Sequence, residues 1–418
     1  MTTSARPMYS IPIKNRPEGY GSWVAKIFFP IVFMLGCFGM GTSQWLFMPL
    51  LLIPSGIGHK LFNEAIDWTK DGFGRLLIVI TVLFAPTSLV ITTDESIDDT
   101  KLVERDSKGH VTRINLPDRL VLMANHQAHV DWIYLWILAC YAGHAEGITI
   151  LLKWSLRQVP IVGWGMRNFR FIFLKRSWAA DKDNLTHSLQ RLASEAKSGD
   201  SNQASGKKGS KRSPLWLFVF PEGTIPSEDE RPKSASYAKK QGVDDFVGLL
   251  HPRSTGLLFC LRTLLPSVPD LKLLDVTVTY PEIPFGKYPQ DWYSLPSIFF
   301  RGVAPPTIRL HLRLYSDLTS PNCAIPSLKA ARTADGLASE AETRAFELWL
   351  RQRWQEKEAR LEQTSKLSPF EAEGGGSKAQ VVPIRQLSAY SHWFSAFGGG
   401  GIGLAAASMA AVSDRFTT

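Results

Sequence analysis

A histidine and an aspartate separated by four residues form the most chemically useful pair in this chain. His126 and Asp131 lie in the segment NHQAHVD, residues 125–131. On one continuous helix they would lie about 140° apart, because each residue turns the helix by about 100°. They can meet only if His126 precedes a helix and Asp131 lies in its first turn. Asp131 would then hold one imidazole nitrogen, and the other nitrogen could take a proton from a hydroxyl group.

Two other interpretations of this segment remain open. His126, His129 and Asp131 could together be metal ligands, but zinc normally takes at least three protein ligands with a supporting second layer. No other His or Cys cluster is evident in the sequence, so we expect no metal. A His–Asp pair that only caps a helix is the second alternative, and the segment alone does not exclude it.

A second polar motif follows an apolar strand. Residues 215–220 read LWLFVF, and the chain continues as the motif FPEGT, residues 220–224. This places Glu222 at the mouth of a sheet, where α/β proteins bind ligands. Gly223 lets the backbone approach a ligand closely, and the N–H groups of Gly223 and Thr224 could face an anion. We expect Glu222 to hydrogen-bond ligand hydroxyls; a strand-ending turn with a solvated carboxylate is the alternative.

Cationic side chains end two further strands. Lys153 ends an apolar strand that begins near residue 147, and Lys175 and Arg176 end another over 169–174. Cations at strand ends near the His126 turn would suit a phosphate group. Arg176 is the first choice because a guanidinium binds two phosphate oxygens at once. The alternative is that these side chains only face solvent. It has more weight for Lys175 and Arg157 than for Lys153 and Arg176.

The elements that position these groups alternate along the chain. The pattern predicts strands over 119–124, 147–152, 169–174, 215–220, 273–280 and 307–316, and helices over 131–141, 181–197 and 335–362. This alternation predicts an α/β domain over 94–317, a mixed sheet flanked by helices. The strand 307–316 alternates apolar and polar residues, which predicts a half-buried position near a sheet edge. Residues 198–213 are predicted to form a flexible basic insertion.

Two uncharged apolar stretches, 27–58 and 76–93, indicate contact with a membrane. A span needs about 20 apolar residues, so the first is long enough and the second is near the minimum. We expect residues 23–93 to form a membrane-embedded helical segment; a buried helix pair in a soluble protein is the alternative. Residues 1–22 are expected to be mobile, 318–362 helical, and 363–418 a tail with a weak membrane segment over 393–413.

The charge of the chain limits its partners. The formal net charge is +9 and the pI is about 9.3, which favours anionic partners such as phosphates and acidic lipids. No zinc-finger spacing or regular basic–aromatic array is present, so nucleic acid is not expected. The four cysteines are scattered without CxxC spacing, which argues against a disulfide framework.

The ordered pair of motifs resembles the HxxxxD and FPEGT boxes of the membrane-bound 1-acylglycerol-3-phosphate acyltransferase family, over about residues 20–317. The resemblance implies that His126 is the general base and that Asp131 orients it. It implies that Arg176, in a segment similar to the second family box, contacts the acceptor phosphate with Lys153 nearby. Glu222, Gly223 and Thr224 would bind the acceptor. Residues 278–281, VTYP, resemble the fourth box.

One position departs from the family pattern. The family box commonly continues with Arg after FPEGT, whereas this chain has Ile225. The subgroup acting on lysocardiolipin and lysophosphatidylinositol also lacks that Arg and has a segment similar to LHPRSTG, residues 250–256. The resemblance therefore implies acyl-CoA-dependent acylation of a lysophospholipid hydroxyl, with acyl-CoA as co-substrate and no other cofactor, in a membrane expected to be the endoplasmic reticulum.

Three alternatives are kept. The acceptor could be 1-acylglycerol-3-phosphate, with phosphatidic acid as product. The chain could instead be a non-catalytic membrane lipid-binding protein. A lipid hydrolase is the third, although the chain has no G-x-S-x-G nucleophile elbow.

Overall fold

The fold is built around one mixed sheet of eight strands. A computed structural model of the protein describes residues 6–54, 56–175, 177–204, 212–328, 338–371, 379–385 and 390–399. The strands are β1 (Ser88–Thr93), β2 (Val103–Arg105), β3 (Val111–Ile114), β4 (Arg119–Ala124), β5 (Ile148–Lys153), β6 (Ile172–Leu174), β7 (Leu215–Val219), β8 (Lys272–Thr279), β9 (Thr307–Tyr315) and β10 (Gln380–Pro383). The helices are α1 (Trp23–Phe47), α2 (Ile57–Phe84), α3 (Asp99–Leu102), α4 (Asp131–Ala142), α5 (Val162–Asn168), α6 (Trp178–Ala204), α7 (Arg231–Gln241), α8 (Ser254–Leu264), α9 (Glu340–Thr364) and α10 (Tyr390–Ala396).

The strand order places five parallel strands together. The sheet runs β10-β1-β9-β8-β4-β7-β5-β6. Strands β8, β4, β7, β5 and β6 are parallel, so their carboxyl ends share one edge of the sheet. Strand β9 is antiparallel to β8, β1 runs parallel to β9, and β10 is antiparallel to β1. Strands β2 and β3 form a separate hairpin.

Helices cover both faces of the sheet, which explains why its central strands are apolar throughout. Every residue of β4 and β7 is buried, as expected for parallel strands covered on both sides. On one face, α2 and α4 pack against alternate residues such as Leu120 and Leu122. On the other face, α6, α8 and α9 pack against Val121 and Met123. The predicted α/β class, a mixed sheet flanked by helices, is confirmed.

The six predicted strands and three predicted helices are present, but one position in the sheet was predicted wrongly. Strand β9 lies between β8 and β1 rather than near an edge, and its residues from Thr307 to Leu312 are buried. The polar side chains that alternate along it find partners inside the protein: Nδ1 of His311, for example, lies 3.0 Å from the Thr92 hydroxyl.

The second apolar stretch belongs to the domain core, which corrects the predicted boundary at residue 94. Leu76 to Ile80 in α2 are at most 2% exposed, and β1 pairs with β9 along its whole length. Protein side chains therefore cover Leu76–Ile80 and most of β1, whereas Leu83 remains half exposed. The sheet therefore begins at residue 88, within the segment 23–93 that we expected to be membrane-embedded.

Three predicted irregular segments contain regular or fixed structure. Arg16, in the N-terminus expected to be mobile, is buried and donates to the Trp292 carbonyl oxygen over 2.8 Å. Helix α6 continues into the predicted insertion as far as Ala204, and residues 205–211 lie outside the described residues. Strand β10 lies in the predicted tail; of the weak membrane segment 393–413, the structure describes only residues up to 399, which include the end of α10.

Helix α1 keeps the apolar surface expected of a membrane segment. Within the described residues, Trp23–Leu52 is the one helical stretch long and apolar enough to cross a membrane. One side of α1 packs on the protein through residues such as Phe29 and Met40. Large apolar side chains of α1 remain exposed on its other side: Ile27, Phe28, Ile31, Leu35, Phe38 and Trp45.

Candidate active site

Polar side chains from separate motifs meet at the carboxyl edge of the parallel strands. His126 follows β4, Glu222 follows β7, Lys153 ends β5 and Tyr280 follows β8. These strands are neighbours in the order β8-β4-β7-β5, and adjacent strands lie about 4.8 Å apart. Residues far apart in the sequence therefore come together at this edge, which is where α/β sheets bind ligands.

The His126–Asp131 pair has the geometry that the spacing predicts. Asp131 is the first residue of α4, and His126 lies on the turn before it. Nδ1 of His126 lies 2.9 Å from Oδ2 of Asp131. The Asp131 side chain is fully buried, whereas the imidazole of His126 is 17% exposed. A ligand can thus reach the histidine but not the aspartate.

The hydrogen bonds of Asp131 indicate which ring nitrogen of His126 carries a proton. Oδ2 of Asp131 also accepts the backbone N–H groups of Gln127 and Ala128, at 2.6 and 3.0 Å. Oδ1 accepts the hydroxyl of Tyr280 at 2.6 Å. An oxygen that accepts several donors is best matched by an Nδ1 that carries a proton, and in the neutral imidazole with that tautomer Nε2 has the free lone pair. Within the part of the chain that the structure describes, Nε2 forms no hydrogen bond.

Two contacts hold the turn itself. The Asn125 amide pairs with the backbone of β8, donating to the Val278 carbonyl at 2.9 Å and accepting the Val278 N–H at 2.8 Å. The Phe220 ring stacks on the His126 imidazole, with centroids 4.4 Å apart and planes 28° apart. The neighbouring strands therefore restrain both the backbone and the ring of the histidine.

Glu222 joins the two motifs from inside the protein. Its carboxylate is buried, and Oε1 accepts the backbone N–H of His126 at 3.1 Å. Oε2 accepts the Leu250 N–H at 3.0 Å, and the Trp354 indole N–H donates to Oε1 over 3.3 Å. Burial raises the pKa of Glu222 from 4.5 to about 8, although these N–H donors act in the opposite direction. Both oxygens are thus engaged by the protein, and the predicted contact of Glu222 with acceptor hydroxyls stays a prediction.

The rest of the FPEGT motif forms a tight turn. Gly223 has φ of +74°, a conformation that glycine adopts without strain. Its N–H donates to the Phe220 carbonyl at 2.9 Å and closes the turn, and the predicted contact of Gly223 with an acceptor stays a prediction. Ile225 is 7% exposed and belongs to the core. Thr224 is half-buried beside them, and its predicted acceptor contact stays a prediction.

Only some of the cations predicted to bind phosphate are among the residues that the structure describes. Lys153 is exposed at the end of β5, on the same edge as His126. Arg176 lies outside the described residues. Arg253, which we did not select from the sequence, is exposed and its guanidinium lies 4.0 Å from the point that a Gly223 Cβ would occupy. Its backbone N–H donates to the Pro221 carbonyl at 2.8 Å, so it borders the FPEGT turn.

Helix α9 supplies site contacts that the sequence did not reveal. Trp354, which contacts Glu222, is fully buried. The Glu358 carboxylate accepts the N–H groups of Val247 and Gly248 at 2.5 and 3.0 Å, and the Gly248 carbonyl accepts the Gln127 amide at 3.1 Å. The periodicity of 335–362 placed Trp354 on a buried face, but it carried no signal for the partner of the indole N–H.

Metal binding has no support in the described parts of the chain, where no group of three or more His, Cys, Asp and Glu side chains could hold an ion. The His129 side chain does not join the His126–Asp131 pair; its backbone N–H donates to Gln290 over 2.8 Å.

The fold and the site together define an α/β protein with a helix-flanked mixed sheet and a His–Asp pair at the carboxyl edge of its parallel strands. The family model described as Acyltransferase matches residues 110–280. The chain is 35% identical over 311 residues to 2-acyl-1-lysophosphatidylinositol acyltransferase of Saccharomyces cerevisiae, covering 70% of this chain and 73% of that protein. The protein belongs to the acyltransferase family, among relatives that act on lysophospholipids.

Two further relatives have more distant sequences. Lysocardiolipin acyltransferase 1 of Gallus gallus is 28% identical, covering 81% of this chain and 73% of that protein. A probable 1-acyl-sn-glycerol-3-phosphate acyltransferase 5 of Arabidopsis thaliana is 31% identical, covering 54% of this chain and 52% of that protein. The crystal structure of the 1-acyl-sn-glycerophosphate acyltransferase of Thermotoga maritima aligns with 80% of this chain and 97% of that one, at 17% identity and a TM-score of 0.37.

Proposed function

We propose that this protein transfers an acyl group from acyl-CoA to the free hydroxyl of a lysophospholipid, with His126 as general base. The observation that carries the proposal is the 2.9 Å contact between Nδ1 of His126 and the buried Asp131, on an imidazole that is itself 17% exposed. The fold, the family and the anionic substrates expected for a chain of charge +9 support it.

The proposed reaction begins with a proton transfer to Nε2 of His126. Nε2 of His126 takes the proton of the acceptor hydroxyl while that oxygen attacks the thioester carbonyl of acyl-CoA. The resulting tetrahedral intermediate expels the CoA thiolate, which receives the proton from the imidazolium. The ester bond forms as the C–S bond breaks, and the histidine returns to its neutral state. The Asp131 carboxylate stabilises the imidazolium and holds the ring in one orientation, as in the serine-protease triad.

The acceptor is proposed to be a lysophospholipid with a headgroup, of the lysophosphatidylinositol or lysocardiolipin type. The similarity to the yeast lysophosphatidylinositol enzyme supports this choice. The exposed Lys153 and Arg253, with Arg176, are proposed to bind the acceptor phosphate. The similarity to the Arabidopsis protein supports 1-acylglycerol-3-phosphate as the second candidate acceptor.

The exposed side of α1 is proposed to contact lipid, and the endoplasmic reticulum is the proposed membrane. An unpaired apolar helix face of this length has no aqueous role in the fold, whereas it suits the hydrocarbon of a bilayer. Co-localisation with a marker of the endoplasmic reticulum tests the compartment.

A panel of lysolipid acceptors with radiolabelled acyl-CoA tests the reaction on purified protein in detergent. We expect labelled diacyl product, greatest with lysophosphatidylinositol or lysocardiolipin. Preferential labelling of 1-acylglycerol-3-phosphate would establish the second candidate. Bound lysolipid without labelled product would instead identify a non-catalytic lipid-binding protein, and free fatty acid as the sole product would identify a hydrolase.

A further inference from the structure

A cationic and aromatic cleft lies between β5 and α5, and the proposed chemistry gives it no role. It has a volume of about 530 Å³, and its lining includes Trp154, Trp164, Arg157 and Arg167. Its remaining lining residues are uncharged. We call residues 154–167 together with Lys175 the β5–α5 surface.

The cations of this surface have no acidic partner among the residues that the structure describes. The Arg157 guanidinium lies over the Trp154 ring at 4.9 Å from its centroid, and Nζ of Lys175 lies over the same ring at 5.3 Å. The Arg167 guanidinium lies 5.5 Å from the centroid of Trp164. Across the described residues, none of these three side chains forms a salt bridge. A cluster of uncompensated cations attracts anions to the surface.

Apolar side chains project from the same surface. Leu156, Val159 and Ile161 are 39%, 40% and 49% exposed. Ile161 has φ of +61°, which is unfavourable for a β-branched residue. Its ψ of −61° and the hydrogen bond from the Val162 N–H to the Pro160 carbonyl define a γ-turn, a strained conformation that holds the large apolar side chain outward.

The surface is continuous with the exposed side of α1. The Trp164 ring stacks on Trp45 of α1, with centroids 5.4 Å apart and planes 14° apart. Beside it, the Asn168 amide donates to the Gln44 side-chain oxygen at 2.8 Å. Trp45 is itself 61% exposed. Whatever covers the apolar side of α1 therefore also reaches the β5–α5 surface.

We propose that the β5–α5 surface docks on the headgroup layer of an anionic bilayer. Tryptophans concentrate at the boundary between headgroups and hydrocarbon, and arginines and lysines are attracted to acidic lipid phosphates. Ile161 would enter the apolar boundary while Arg157 and Arg167 bind phosphates. Because β5 and β4 end at the same edge of the sheet, docking brings the His126 edge to the lipid that contains the acceptor. The proposal rests on the lipid contact of α1 proposed above.

Charge removal tests the electrostatic part of the proposal. Activity is measured in nanodiscs of phosphatidylcholine alone and of phosphatidylcholine with phosphatidylserine. For the wild type we expect a several-fold lower KM for the lysophospholipid in the anionic discs, with the difference reduced by salt. The double variant Arg157→Gln/Arg167→Gln should lose that difference. The matched control Lys108→Gln/Arg113→Gln removes two exposed cations from the β2–β3 region and should keep it. A double variant that responds to phosphatidylserine as the wild type does would overturn the proposal.

Ile161 tests the apolar part without relying on a destabilised protein. Gly has no Cβ to strain at the φ of +61° and ψ of −61° of this residue, so Ile161→Gly should keep a Tm near that of the wild type and yet raise the KM in anionic discs. Ile161→Leu should keep the wild-type KM. An Ile161→Gly protein with a near-wild-type Tm and an unchanged KM would contradict the insertion of this side chain.

A fluorescence measurement that does not depend on catalysis tests docking separately from the proposed reaction. A bimane label on Ile161→Cys should be quenched by brominated phospholipids in anionic discs, with identically treated wild type as the blank for Cys37, Cys140, Cys260 and Cys323. An unquenched label overturns docking even if acyl transfer is found. Quenching in a protein without acyl transfer would instead retain docking and refute the proposed reaction.

Discussion

The backbone N–H of His126 donates a hydrogen bond to Oε1 of Glu222 over 3.1 Å. Two motifs about ninety residues apart in the sequence are thereby joined through a buried carboxylate. The same carboxylate accepts N–H groups from Leu250 and Trp354, so it also connects the turn to the loop before α8 and to α9. The position of the proposed base therefore depends on contacts well outside its own motif.

The first prediction concerns the pH dependence that Glu222 adds to stability. Burial raises its pKa in the folded protein from 4.5 to about 8. The unfolded chain therefore releases this proton at lower pH, and the free energy of unfolding falls as pH rises from 4.5 through 8. Between about pH 6 and about pH 9, the Tm of the wild type should fall more than that of Glu222→Gln, whose side chain does not titrate. Parallel Tm curves for the two proteins would contradict this assignment.

The second prediction concerns the indole N–H of Trp354. Trp354→Phe keeps an aromatic ring but removes the 3.3 Å contact with Glu222. Glu222 is mainly neutral below its pKa of about 8, and a hydrogen bond between neutral groups is worth about 0.5–1.5 kcal/mol. We therefore expect kcat to fall roughly two- to tenfold as the His126 turn loosens. The KM for both substrates should change little, because Trp354 is buried and cannot touch them.

A matched variant separates this effect from loss of packing. Trp349 lies on the same helix and packs against Tyr315 and Phe346, away from Glu222. Trp349→Phe should keep the wild-type kcat at a similar Tm. If both variants lower kcat equally, Trp354 acts only through the stability of α9.

The third prediction concerns the phosphate-binding cations. Lys153→Ala and Arg253→Ala should each raise the KM for the lysophospholipid more than that for acyl-CoA, since each removes a charge-assisted contact worth about 1.5–3 kcal/mol. Arg253→Lys should recover only part of the loss, because an ammonium cannot bind two phosphate oxygens in a fork. Lys272, at the amino end of β8, provides the control: Lys272→Ala should leave both KM values unchanged. A rise in the acyl-CoA KM alone would reassign these cations to the donor.

The fourth prediction concerns the exposed side of α1. Leu35 and Phe38 are 58% and 68% exposed. Leu35→Lys/Phe38→Lys places two charges in the proposed hydrocarbon contact, each costing a few kcal/mol in lipid. Carbonate extraction should leave the wild type in the membrane pellet and release part of the variant. Leu348→Lys, at an exposed apolar site on α9, should stay in the pellet. Release of the wild type itself would refute integral attachment.

Local sequence signals predicted most of the strands and helices. They did not show whether protein or lipid covers each one. Apolar runs and their turns located the six strands from β4 to β9, and the spacing of His126 and Asp131 was sufficient to predict their hydrogen bond. The same apolar signal could not distinguish lipid from protein around residues 76–93, because the end of α2 and all of β1 carry no charged residue. One practical consequence is that deletion of residues 1–93 would remove a sheet strand and is unsuitable as a test of anchoring.

The site contacts that the sequence did not predict join residues that are far apart in the chain. The sequence placed Glu222 at the mouth of the sheet, but it gave no sign that Leu250 and Trp354 donate hydrogen bonds to its buried side chain. The position of Ile225 in the core and of Arg253 beside Gly223 likewise depends on how the loop before α8 returns to the sheet. Such contacts arise between segments with no pattern in common, so no periodicity or spacing encodes them.

The rate of acyl transfer by His126→Ala tests the central claim most directly. Wild type, His126→Ala and Asp131→Asn are compared with radiolabelled acyl-CoA and saturating lysophospholipid, after near-equal Tm values establish that all three are folded. We expect His126→Ala to lose on the order of 10²–10⁴-fold in kcat, the usual scale of general-base catalysis. Asp131→Asn should lose a similar or smaller factor through the wrong tautomer of His126. A folded His126→Ala protein that transfers the acyl group at a near-normal rate would contradict the account.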